Sequence, residues 1–172
     1  AFGVEVGILM GVALSLGTLV WRSSHPHIAV VGRVPGTEHF RNVARHTVTT
    51  EPGLIAVRVD ESLYFANSDA LLGRVEELVA AQPDTRHVLL VCSAINQIDT
   101  TALGVLTDLE RSLAQRGAAL LLSEVKGPVL DRLQGTELGQ RLNGRIFLST
   151  HAAFEYARRA GSMVGRYGDP AA

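Results

Sequence analysis

A single cysteine, Cys92, stands among the 172 residues, so no disulfide can form within the chain. It lies inside an apolar run and reads as a small buried hydrophobe, a usage that fits a reducing compartment. No Cys/His spacing resembles a zinc site, and the six histidines never take the H-E-x-x-H spacing of a metalloprotease helix. Aromatic residues make up only 5% and do not interleave with basic ones, and the formal net charge is -1; neither feature suits a surface for nucleic acid. The phosphate-cradling G-x-x-x-x-G-K-[ST], the dinucleotide G-x-G-x-x-G and the nucleophile elbow G-x-S-x-G are all missing. Carboxylates are scattered, and the close pair Glu76-Glu77 falls on the solvated side of a predicted helix. The chain therefore nominates no catalytic residue, no cofactor and no metal ligand, and does not read as an enzyme.

What is present begins at the N-terminus. From Val6 to Trp21 there is no charge, and with residues 1–5 the apolar segment is long enough to cross a bilayer as a helix. Trp21 and Arg22 close it as an interfacial aromatic and a basic flank would. The only early charge is Glu5, placed for a headgroup region, and without a basic leader the segment does not follow a signal-peptide pattern. Gly3, Gly7, Gly11 and Ser15 recur every four residues and form a ridge of small side chains against which another helix could pack. Beyond the span, Arg22, His25, His27, Arg33, Arg41 and Arg45 face one acid, Glu38, before Glu51, so this side is expected to be cytoplasmic. The chain starts on Ala1 without an initiator Met, which suits a piece of a longer polypeptide.

Pro26 ends the first helix, and residues 23–27 are expected to be a juxtamembrane linker. Ile28 to Gly32 reads as a strand, residues 37–50 as a loop and Leu54 to Val59 as a second strand, with Leu63-Tyr64-Phe65 extending it or starting another edge. Asn67 or Ser68 is placed to cap a helix reaching Ala81. Val88 to Cys92 and the run AALLLS are apolar throughout, as strands covered on both faces are. Between them Ala102, Val105, Leu106, Leu109 and Leu113 follow helical spacing, with Gly117 at the C-cap. A short helix from Pro128, the strand RIFLS and a last helix capped by Thr150 complete the pattern, and residues 161–172 read as a flexible tail. Such alternation predicts an α/β fold with a mixed, mostly parallel sheet and packed helices, preceded by one transmembrane helix.

One stretch carries polar chemistry at the junction of strand and helix, Asp99-Thr100-Thr101. The structural reading makes Asp99 or Thr100 a cap for the free N–H groups of the first turn. The functional reading uses the same geometry: a phosphate on Thr100 or Thr101 would meet a positive helix end and change which partner surface is tolerated. Spacing alone leaves both open.

The stretch VLLVCSAINQIDTTALGVL resembles the central strand, loop and helix of STAS domains, found in sulfate transporters and anti-sigma-factor antagonists. GILMGVALSLGTLVWRSS, SSHPHIAVVGRVPGTEHFRNV and VRVDESLYFANSDALL are similar to the last membrane helix of SulP-type anion permeases and the segment joining it to that domain. Two positions depart from the family pattern: Val91 or Cys92 where many members carry an acid, and Ala102 where the signature has glycine. The resemblance implies a last transmembrane helix over 1–22, a linker over 23–27, a cytoplasmic STAS domain over 28–160 and the tail. It implies a part in moving sulfate or a related small anion by secondary transport across the inner (plasma) membrane, within a multi-pass whole. The fragment would hold no substrate-binding residue and would serve regulation or assembly. Implied partners are the upstream membrane domain of the same transporter, a second copy in a homodimer, a cytosolic regulatory protein and the lipid bilayer. The alternative is a membrane-anchored or stand-alone binding switch of the antagonist kind, with Asp99, Thr100 and Thr101 as its phosphoacceptor loop.

Overall fold

The computed structural model describes the backbone of residues 2–167 and the side chains of residues 3–161. Its first element is α1 (Phe2–Ser24), a helix with no part of its apolar stretch buried. The remainder builds one six-stranded sheet from β1 (Ile28–Arg33), β2 (Phe40–Asn42), β3 (Leu54–Val59), β4 (His87–Val91), β5 (Ala119–Ser123) and β6 (Ile146–Phe147), in the order β2-β1-β3-β4-β5-β6. β1 runs antiparallel to both neighbours, and β3 to β6 are parallel. The helices are α2 (Ser68–Ala81), α3 (Thr100–Gln115), α4 (Gly127–Gln134), α5 (Glu137–Arg141) and α6 (Thr150–Tyr167).

The unbroken apolar runs are explained by the two layers that cover the sheet. Successive side chains of a strand point to opposite faces. Val88, Leu90 and Cys92 of the β4 segment, with Ile55, Val57, Leu120 and Leu122, join the core under α2, α3, α4 and α5. Leu89, Val91, Leu54, Ala56 and Leu121 turn the other way and meet Ala153, Phe154 and Ala157 of α6. Each buried Leu or Val stabilises the fold by roughly 1.5–3 kcal/mol relative to exposure. One further tie crosses the helical layer. Glu110 on α3, with a side chain only 4% exposed, accepts from Arg141 at 3.2 Å and Arg145 at 3.3 Å, pinning α3 to α5 and the segment after it.

Several sequence expectations are corrected. Residues 37–50 are not all loop, because Phe40–Asn42 pairs with β1; the backbone of β1 recruits a strand that has no alternation of its own. Leu63-Tyr64-Phe65 is neither a strand extension nor an edge, and Leu63 makes only an isolated bridge with Ile98. The proposed linker is partly helical, since α1 runs through Ser23 and Ser24. α5 was too short to have a readable period; Thr136 caps it by accepting from the Gly139 amide at 3.1 Å. α6 continues past Gly161, where the sequence suggested its end, while residues 168–172 of the expected tail lie outside the described residues. Thr150 is the first residue of α6 rather than its cap, and the Ser149 hydroxyl takes the capping role from the Ala152 amide at 3.1 Å. Gly117 has φ of 75° just beyond α3, the left-handed turn expected of it.

Candidate functional site

The loops that follow β3, β4, β5 and β6 all emerge at one edge of the sheet, where the parallel strands end. The chain also enters the sheet there, because Ile28 pairs with Val59 at the end of β3. Asp99 sits at the centre of this edge as the N-cap of α3. One carboxylate oxygen accepts from the Ala102 amide at 2.8 Å, as a cap does; the other accepts from the Phe65 amide at 2.8 Å, in the loop after β3. Backbone bonds run alongside: the Asp99 amide donates to the Leu63 carbonyl, and the Leu63 amide donates to the Gln97 carbonyl. Asp99 thus ties two loops together as well as starting a helix, and both of its oxygens are engaged. Thr100 and Thr101 occupy the first two positions of α3 and are exposed.

Three residues whose roles sequence reasoning missed complete the loop pair. The Ser62 hydroxyl accepts from the Asn96 and Gln97 amides, both at 3.2 Å. Asn67 stands at the cap position of α2 but makes no cap; buried, it turns back to accept from the Tyr64 amide and to donate to the Ser62 carbonyl. Tyr64 reaches the end of α1, where its hydroxyl donates to the Ser23 carbonyl at 3.0 Å and also meets the Ser23 hydroxyl. Close by, Asp60 takes Arg58 Nε at 2.6 Å and His27 Nδ1 at 2.7 Å. Burial pushes the Asp60 carboxyl up, but the hydrogen bonds from Arg58 and His27 outweigh it and hold it below its ordinary range. The only sequence signal for this set was its crowding of Asp, Ser, Tyr and Asn between a strand and a helix.

On the α6 side a small polar crevice of about 160 Å³ opens between His39, Arg58, Ser93, Glu124 and Thr150. Glu124 takes φ of 56°, unusual for a residue with a side chain, and holds the Thr150 hydroxyl at 2.6 Å and the Thr150 amide at 3.3 Å. Thr150 also meets the buried Ser123 hydroxyl at 3.1 Å. Cys92 is buried, and that burial first, with the Glu124 charge second, pushes its thiol up to about 12, far from thiolate chemistry at neutral pH. Among the described residues no three His, Cys, Asp or Glu side chains converge as metal ligands. Gly3, Gly7 and Gly11 have open space where a Cβ would point, so that face of α1 is free of contacts within the described residues.

The sequence profile of the STAS domain matches residues 45–153. Sulfate transporter 1.3 of Arabidopsis thaliana is 30% identical over 163 residues, 88% of this chain and 25% of that protein. Probable sulfate transporter 4.2 of Arabidopsis thaliana is 36% identical over 140 residues, 75% of this chain and 21% of that protein. This chain therefore spans about a quarter or less of the length of these relatives. Among solved structures, the murine Solute Carrier 26 family member A9 anion transporter in its inward-facing state aligns with a TM-score of 0.78 at 20% identity, over 90% of this chain and 26% of that one. The SulP transporter STAS domain from Vibrio cholerae aligns with a TM-score of 0.55 at 17% identity, over 72% of this chain and 93% of that one. At these identities the structural matches speak for the fold.

Proposed function

The chain belongs to the STAS-domain family, and from that premise we propose that it is the regulatory and assembly portion of a SulP-type secondary transporter of sulfate or a related small anion. The observation that carries this reading is the joining of two features in one chain: a fold of the STAS kind and, hydrogen-bonded to it through Tyr64 and Ser23, an apolar helix of 22 residues with a mean hydropathy of 1.9. At 1.5 Å per residue such a helix is about 33 Å long, enough for a hydrocarbon core of ~30 Å. In this reading α1 is a membrane span, residues 28–160 form the cytoplasmic STAS unit, and the ridge Gly3, Gly7, Gly11 and Ser15 packs against another span. Its partners are the membrane domain of the same polypeptide and a second copy. The anion site belongs to other spans, because one helix lines no pathway. The domain acts by contact, not by catalysis.

The full polypeptide that contains this chain, expressed in cells, should take up labelled sulfate. Deletion of residues 52–172 should lower uptake, assembly or the amount reaching the membrane. Unchanged uptake, assembly and membrane level after the deletion would remove the regulatory role.

A second reading concerns Thr100 and Thr101. They are exposed at a helix start, with a positive partial charge to meet a phosphate, and they adjoin an Asp99 already linked to the α1 side of the domain. A phosphate on either would act on that link. Intact mass of the protein from cells, compared with Thr100→Ala and Thr101→Ala, tests it: identical masses throughout leave these residues as parts of the helix start.

A further inference from the structure

Outside α1, the two most exposed large apolar side chains among the described residues are Leu148 at 98% and Phe65 at 70%. Single exposed hydrophobes are ordinary on protein surfaces. These two share a location, however. Phe65 lies in the loop after β3 and Leu148 directly after β6, so both project from the edge of the sheet where α1 also joins. Neither is on a loose segment. The Phe65 amide is held by Asp99 at 2.8 Å, and Leu148 stands between β6 and the capped start of α6. Tyr64, next to Phe65 and in edge contact with its ring at 6.3 Å, bonds the last turn of α1. That turn also carries exposed Trp21, stacked on His25 at 4.3 Å, and Arg22. An aromatic cluster at the end of an apolar helix, with a basic residue beside it, is the composition of a bilayer interface.

We propose that this edge of the domain rests on the lipid headgroup region, with Phe65 and Leu148 entering it as two anchors beside α1. The inference rests on the reading of α1 as a membrane span. The geometry supports it because Tyr64 touches the helix terminus itself: the hydroxyl lies at the depth of Ser23, and Phe65 is one residue away. Lipid is the occupant because α1, with which the edge is continuous, is apolar and touches no other described part of the domain along its apolar stretch. Thr100 and Thr101 start α3 on the same edge, so a phosphate there would stand against an anionic leaflet and be repelled from it.

Trp21 is the only tryptophan, which makes the test direct. The chain is reconstituted into phosphatidylcholine vesicles whose acyl chains are brominated near the carbonyl, and emission is compared with unbrominated vesicles. The wild type reports Trp21. Three variants in a Trp21→Phe background carry Phe65→Trp, Leu148→Trp or, on an exposed site at the opposite edge, Gln115→Trp. Thermal melts verify that each is folded. The inference expects positions 65 and 148 to lose emission to a degree comparable with Trp21, and position 115 to lose none. Quenching of Trp21 with no loss at 65 or at 148 overturns the anchoring while leaving the span intact. No quenching of Trp21 overturns the span and the anchoring together.

Discussion

α3 and α6 begin at the same edge of the same sheet, each with a threonine at its first position, and the two starts are built in opposite ways. At α6 the threonine is drawn inside: Thr150 is buried, its hydroxyl donates to Glu124, and Ser149 does the capping. At α3 the cap is the long-reaching group, with Asp99 bridging to the Phe65 amide, and the threonines are left in the open. The same residue type is therefore a structural lock in one place and an available hydroxyl in the other. The deciding factor is the neighbouring loop. After β5, Glu124 offers an acceptor to α6; after β3, Phe65 offers a donor, and the two carboxylate oxygens of Asp99 can take it and cap the helix at once, where a threonine has one side-chain oxygen.

This contrast can be broken from the α6 side first. Thr150→Ala should destabilise the domain by about 2–3 kcal/mol, the scale of a buried hydrogen bond to a charged group, read as a lowered urea midpoint with unchanged slope. Asp99→Ala comes next: loss of a cap and of the bond to Phe65 should cost about 2 kcal/mol. Hydrogen exchange at the Phe65 amide should accelerate in that variant, an effect that capping alone would not produce.

A smaller effect sharpens the picture at the junction with α1. The pairing of Asp60 with Arg58 and His27 lowers its pKa below the ordinary 3.8, so its contribution to stability is present above that value. It is lost as the pH falls through the lower folded pKa. Asp60→Asn should flatten that part of an acid-denaturation curve. Smallest of all, Thr100→Ala and Thr101→Ala should change stability by less than about 0.5 kcal/mol, as exposed substitutions do. A cost near that of Thr150→Ala would erase the distinction between the two helix starts.

The sequence was most informative where period and burial coincide. Doubly covered strands such as β4 and β5 announce themselves as continuous apolar runs, and α3 by the spacing of Ala102, Leu106, Leu109 and Leu113, which the core contains. The family followed from the order of several motifs along the chain, and the domain match agrees. β2 and α5 were not legible because three- and five-residue elements have no period, and their pairing is lent by β1 and by α3. The capping role of Asp99 could be read from its position before a helix; its second bond could not, because Phe65 is 34 residues away. Thr150 misled for a related reason. Both Ser149 and Thr150 suit a cap, and only the presence of Glu124 beside Thr150 selects between them. Ser62 acts through amides of the loop after β4, Tyr64 through the last turn of α1 and Asn67 by folding back on its own loop, none of which sequence spacing displays.

In the proposed function, this STAS domain and its apolar helix belong to a larger anion transporter. The most direct measurement is to read the coding sequence upstream of Ala1 in the same frame. A run of further apolar segments, each long enough to span a bilayer, is expected to lead into α1. A start codon immediately before Ala1 would contradict it, leaving a domain on a single helix with no transport pathway to regulate.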